Sequence, residues 1–228
     1  SLFAGNGGFD LGLERAGLKC RWQVEIDPYC QRVLAKHWPN VQRWDDVRTF
    51  AVDHFVERVD LICGGFPCTD ISLAGKGAGI DGEQSGLWSE FARIVRVVRP
   101  RFVLVENVPA LLGRGLGRVL GDLAASGFDA RWECLPVCAF GGPHIRNRLF
   151  VVAHSEGARL EGWPWSSEAA REALAGACRR DWLPTGHPRP RSDDGLPLEV
   201  DRIRGLGNAV VPQVAEWIGR RILNAEEE

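Results

Sequence analysis

The 228-residue sequence predicts an α/β fold: a doubly wound, mostly parallel sheet with one small irregular insert. Three observations carry this. Short apolar runs alternate with stretches of helical periodicity as far as about residue 153. One run, Phe102 to Val105, is apolar without a break, as in a strand covered on both faces. Glycines or carboxylates follow these runs, at the strand ends where open α/β sheets hold ligands.

Leu2–Phe3 reads as the tail of a strand whose earlier part is missing, since the chain opens at Ser1 and contains no Met. Ala4-Gly5-Asn6-Gly7-Gly8 leads into a helix through Asp10–Ala16, with Gly17 to stop it. Arg21–Ile26 is a strand carrying Glu25 near its end. Pro28 opens a helix to about Trp38, because its fixed φ suits the first helical turn. Val41–Trp44 is a short strand before Asp45-Asp46, Thr49–Arg58 is weakly helical, and Asp60–Cys63 is a further strand. Residues 73–86 hold five glycines and read as a long functional loop. Leu87–Val98 has Trp88, Phe91, Ile94, Val95 and Val98 at helical spacing, and Pro100 ends it. Phe102–Val105 follows as a strand that ends in Glu106-Asn107. Leu116–Ser126 is a helix, and Ala130–Leu135 and Leu149–Ala153 are strands. Between about His154 and Val200 the pattern is lost among prolines and tryptophans, with one helix expected at Ser167–Cys178. A last helix runs to about Leu223. The expected organisation is a catalytic and cofactor-binding domain at 1–153, a reduced recognition region at 154–200, and a segment at 201–228 that returns to the first.

An apolar fraction of 45% suits a globular core, and no run is long enough to span a membrane. No secretory signal opens the sequence. Seven cysteines with no Cys-x-x-Cys pair argue against a disulfide framework and for a reducing cytoplasm; Cys134 and Cys138 are expected in the core. No metal site shows the usual ligand spacing. The chain is net negative up to residue 92 and net positive beyond it. Lys19, Lys36 and Lys76 are the only lysines among 28 basic residues, a bias that suits bidentate phosphate or base contacts and equally suits a GC-rich gene.

Asp60 to Ser72 organises the rest. An apolar run breaks at Gly64-Gly65 and presents Cys68 behind the rigid Pro67. Taken alone, Cys68 is a core residue as readily as a nucleophile, since free cysteines are usually buried. Gly5, Gly7 and Gly8, Glu25 and Asp46 stand at three successive strand ends and together describe an adenosine-shaped site: glycines for close backbone approach, Glu25 for ribose hydroxyls, Asp46 for an adenine amine. Glu106, behind an apolar strand, is expected to be partly buried with a raised pKa, and so able to deliver a proton. Arg146 and Arg148 are placed to hold a carbonyl oxygen or phosphates.

These residues, Leu2-Phe-Ala-Gly-Asn-Gly-Gly8, Glu25, Asp46, Gly65-Phe-Pro-Cys68, Glu106-Asn107-Val108, Arg146-x-Arg148 and Gly207-Asn208, resemble in order and spacing the DNA cytosine carbon-5 methyltransferases. The resemblance covers nearly all of the chain outside about 155–200. It implies a Rossmann-like fold and S-adenosylmethionine as methyl donor, held by Phe3, Ala4, Gly5, Gly7, Glu25, Ile26, Asp46, Val47, Pro67, Leu87, Asn208 and Val210. It implies Cys68 as the nucleophile on cytosine carbon 6, Glu106 on the ring nitrogen and amine, and Arg148 on the base carbonyl with Arg146 in support. Ser72, Lys76, His144 and Arg146 would meet the DNA. The expected partner is double-stranded DNA, bound by a monomer, with a separate specificity or restriction protein left open. The sequence departs from the family pattern at Thr69 and His144, both usually Gln, at Asp70, and in a recognition segment about half the usual length. Transfer to tRNA, and a cofactor- and DNA-binding relic without catalysis, are the alternatives.

Overall fold

The computed structural model describes residues 1–51, 58–67, 87–140, 146–155 and 210–224. Its strands are β1 (Trp22–Val24), β2 (Gln42–Trp44), β3 (Leu61–Gly64), β4 (Phe102–Asn107), β5 (Phe128–Pro136) and β6 (Asn147–Ser155). Its helices are α1 (Gly8–Ala16), α2 (Pro28–His37), α3 (Trp88–Val98), α4 (Leu111–Arg114), α5 (Leu116–Ala125) and α6 (Pro212–Asn224). Each expected element within the described residues is present, with ends shifted by a few residues. The weak helix at Thr49–Arg58 falls largely, and Ser167–Cys178 wholly, outside them.

One sheet runs β2-β1, then Leu2, then β3-β4-β6-β5. Leu2 is the bridge: it pairs in parallel with Val24 on one side and Gly64 on the other. Its N–H donates to the Cys63 carbonyl at 2.8 Å, and the Ser1 carbonyl accepts from Val24 at 2.9 Å. Along the line of this bridge, a cavity of about 370 Å³ opens between β1 and β3, lined by Trp22, Asp10, Cys20 and Leu61–Cys63. β1–β2 and β3–β4 are parallel, whereas β6 is antiparallel to both β4 and β5.

Strand residues alternate between the faces, so each face gathers its own core. Ile62, Val103, Val105, Leu149 and Val151 pack with Trp88, Phe91, Val95, Leu111, Val119 and Leu123 of α3 to α5. Cys63, Phe102, Leu104, Phe150 and Val152 pack with Phe9 and Leu13 of α1 and with Val214, Ala215, Ile218 and Ile222 of α6. Phe102 to Val105 are at most 1% exposed, which explains their unbroken apolar run. Gly12 is what lets α6 lie against α1, because a Cβ there would strike the Pro212 carbonyl and the Ala215 side chain.

Two local details depart from expectation. Glu106 and Asn107 lie inside β4 rather than behind it, paired with Phe150 and Leu149. Cys138 is disulfide-bonded, while Cys20, Cys30, Cys63 and Cys134 are free. Among the described residues no helix is long and apolar enough to cross a membrane.

Candidate active site

The carboxyl ends of β3 and β4 lie side by side, and β6 runs the opposite way beside β4. The start of β6 therefore arrives at the edge where β3 and β4 end. This reversal brings Arg146 and Arg148 to Glu106, some forty residues earlier in the chain.

Glu106 is 7% exposed. Its Oε1 lies 3.0 Å from Nε of Arg148, whose second nitrogen donates to the Asn147 carbonyl at 2.8 Å. Burial pushes the Glu106 carboxyl up to about 7, against the pull of the Arg148 and Arg146 charges. The group thus sits near the midpoint of its titration at neutral pH. On the other side it meets Gly65: a Cβ there would stand 2.7 Å from Glu106 Oε2, so only glycine leaves the carboxylate its place.

The chain beyond β3 is held as it leaves the sheet. Phe66 is buried, its ring 5.5 Å from that of Trp88, and its carbonyl accepts from Asn107 Nδ2 at 3.1 Å. Pro67 is half-buried beside it. Cys68, Ser72, Lys76, His144 and Asn208 lie outside the described residues.

A second group of predicted residues gathers at the ends of the bridge residue's neighbours. Glu25, following β1, accepts from Gly5 N–H at 2.6 Å and from Asp27 N–H at 2.8 Å. Burial raises its pKa, and the backbone donors of Asp27 and Gly5 oppose the rise. A carboxylate offers about four acceptor positions; the backbone of Asp27, Gly5 and Ile26 occupies three, so about one remains. Ile26 beside it is 62% exposed, an apolar surface next to that acceptor. Phe3 turns the chain with φ 53°, followed by Ala4, whose N–H donates to the Val24 carbonyl at 3.0 Å, and by Gly7 with φ 82°. Leu87 and Val210 are half-buried, and Val47 is buried in the core. Asp46 is differently engaged: its carboxylate is clasped by Arg48, with contacts of 2.6 to 3.0 Å, which lowers its pKa. Its expected partner, an adenine amine, would have to share it with that guanidinium.

An acceptor with a spare lone pair, an apolar neighbour and a glycine turn form a set that fits the ribose and purine of an adenosine-type cofactor. Sequence reasoning passed over three participants. In the sequence Asn107 and Gly65 stand only as motif residues, Gly65 also as a break, and Trp88 only as part of a helix face. The signal for Gly65 was the doubled glycine at a strand end; for Asn107 it was a second polar residue directly after Glu106 in an apolar strand.

The model of the family described as C-5 cytosine-specific DNA methylase matches residues 1–176. The chain is 34% identical over 161 residues to the type II methyltransferase M2.BsuMI of Bacillus subtilis, covering 67% of this chain and 41% of that protein. It is 37% identical over 163 residues to M.Eco47II of Escherichia coli, covering 67% and 38%. The chain thus spans about two fifths of the length of these relatives. Among solved structures, a candidate DNA modification methyltransferase from an E. coli prophage superposes with a TM-score of 0.58 at 26% identity, over 68% of this chain and 45% of that one. Spodoptera frugiperda DNMT2 gives a TM-score of 0.59 at 19% identity, over 72% and 51%, which shows the same fold. The family match over residues 1–176, more than half of the chain, leads to one conclusion: the chain belongs to the C-5 cytosine-specific DNA methylase family.

Proposed function

We propose that the protein transfers a methyl group to carbon 5 of cytosine in double-stranded DNA, with Cys68 as the nucleophile. The observation that carries this is Glu106: a carboxyl buried to a pKa of about 7, paired with Arg148 and pressed against Gly65, three residues before Cys68. Gly5, Glu25 and Ile26 would hold S-adenosylmethionine, which would supply an electrophilic methyl group.

The Cys68 thiolate adds to carbon 6 of the base, and the ring electrons move toward nitrogen 3. Glu106, protonated, donates its proton there and holds the resulting enamine. Arg148 keeps Glu106 in place and is positioned to meet the base carbonyl. Carbon 5 then takes the methyl group. Loss of the carbon 5 proton to water restores the ring double bond and expels Cys68 as thiolate, and nitrogen 3 returns its proton to Glu106. One difficult substitution is thereby divided into two easier steps. The base has to leave the stack to reach these groups, a displacement that enzymes acting on bases carry out by flipping.

Duplex DNA carrying 5-fluorocytosine tests the scheme, because fluorine on carbon 5 blocks the final elimination. Incubation with S-adenosylmethionine is expected to leave a denaturant-stable protein–DNA adduct, and Cys68→Ser to abolish it. Methyl transfer by Cys68→Ser at the wild-type rate would end the covalent scheme. Transfer to tRNA with none to duplex DNA would move the substrate to RNA.

A further inference from the structure

We infer that Asn107 is a positioning residue for the nucleophile, acting through the backbone of Phe66; this rests on the roles proposed above for Cys68 and Glu106. The parallel ladder between β3 and β4 ends with Gly64 opposite Val105. Continued two residues further, that register would set Phe66 opposite Asn107. The backbone of β3 has left the sheet by then, and the Asn107 side chain takes over the role of the ladder. Its Nδ2 donates to the Phe66 carbonyl at 3.1 Å, and its Oδ1 accepts from the Val108 N–H at 2.8 Å. At 3% exposure the amide has no water to compete for these bonds.

The arrangement uses both ends of the amide. A carboxylate of the same shape could accept from Val108 but would face the Phe66 carbonyl with a second acceptor. Phe66 is held elsewhere as well, by its ring against Trp88, whose indole N–H donates to Asp122 at 2.9 Å. The ring contact fixes the side chain; Asn107 fixes the peptide two residues before Cys68. Since Glu106 is the preceding residue of the same strand, one strand end sets both the acid and the approach to the thiol.

The test compares the full chain with Asn107→Asp, and with Asn107→Ser, whose hydroxyl can satisfy Val108 but does not reach Phe66. Three quantities are read: the rate of 5-fluorocytosine adduct formation, the dissociation constant for S-adenosylmethionine, and the rate at which iodoacetamide alkylates Cys68 in the reduced protein, followed by peptide mass spectrometry. Misplacement of a reacting group by about 1 Å costs on the order of 100-fold, so adduct formation is expected to slow by roughly that factor while cofactor affinity and KM for DNA hold. Alkylation of Cys68 is expected to change severalfold. Unchanged adduct formation and alkylation in both variants would overturn the inference, as would a loss of adduct matched by loss of cofactor affinity and thermal stability, which would mark a merely structural asparagine. A wild-type protein that forms no adduct would sink the proposed reaction alone, and the alkylation comparison would still decide the role of Asn107.

Discussion

Glu106 concentrates the chemistry of the site and also a cost in stability. Its pKa rises from the ordinary 4.5 to about 7 on folding because burial penalises the charged form more than two arginines favour it. The folded chain therefore holds a proton that the unfolded chain has released between these values. Stability falls as pH rises through that window, and the whole penalty is present above about pH 7. For a group so buried it is on the order of 3 kcal/mol. Glu106→Gln, which imitates the protonated acid, is expected to raise stability by up to about that amount at pH 8 and to leave it unchanged at pH 4. Urea denaturation at the two pH values checks this. The same variant should lose most of its methyl transfer, as exchanges of stability for activity at functional sites commonly do.

At the scale of elements, the terminal helix deserves a measurement. α6 buries Val214, Ala215, Ile218 and Ile222 against α1 and the sheet, although it follows β6 only after a long excursion. Ile218→Ala is expected to lower the unfolding free energy by roughly 2–5 kcal/mol, since the cavity sits in a fully packed layer. Denaturant melts should show one cooperative transition moved to lower urea, with the affinity for S-adenosylmethionine unchanged below it. The elements themselves were legible in the sequence because their apolar periods are clean: α3 was expected at Leu87–Val98 and lies at Trp88–Val98. α4 was missed because four residues carry no period. β4 was cut short at Val105 because Glu106 and Asn107 are polar, and only the partner strand β6 shows that the ladder continues through them. The site was legible where chemistry forced unusual residues into strand ends, as at Glu25 and Glu106. It was not legible where the partner lay far along the chain, as with Asn107 and Phe66, or next door in a turn, as with Asp46 and Arg48.

At the scale of the whole molecule, the described residues pack two cores, one on each face of the sheet. Replacing 156–200 by a flexible linker of the same length, which leaves Asn208 in place, is expected to preserve S-adenosylmethionine binding and abolish methylation of DNA. Isothermal titration and bisulfite sequencing check the two halves of this expectation, and loss of cofactor binding would show that the excursion supports the fold. The contact of Gly12 with Pro212 has a further consequence. It staples two points of the chain about 200 residues apart, so that everything leaving at Ser155 and returning at Val210 forms a closed loop. The entropy of closing such a loop grows only with the logarithm of its length, and a doubling costs about 0.6 kcal/mol. A segment of twice the size could therefore be spliced between these two points at almost no thermodynamic expense, leaving the catalytic core as it stands.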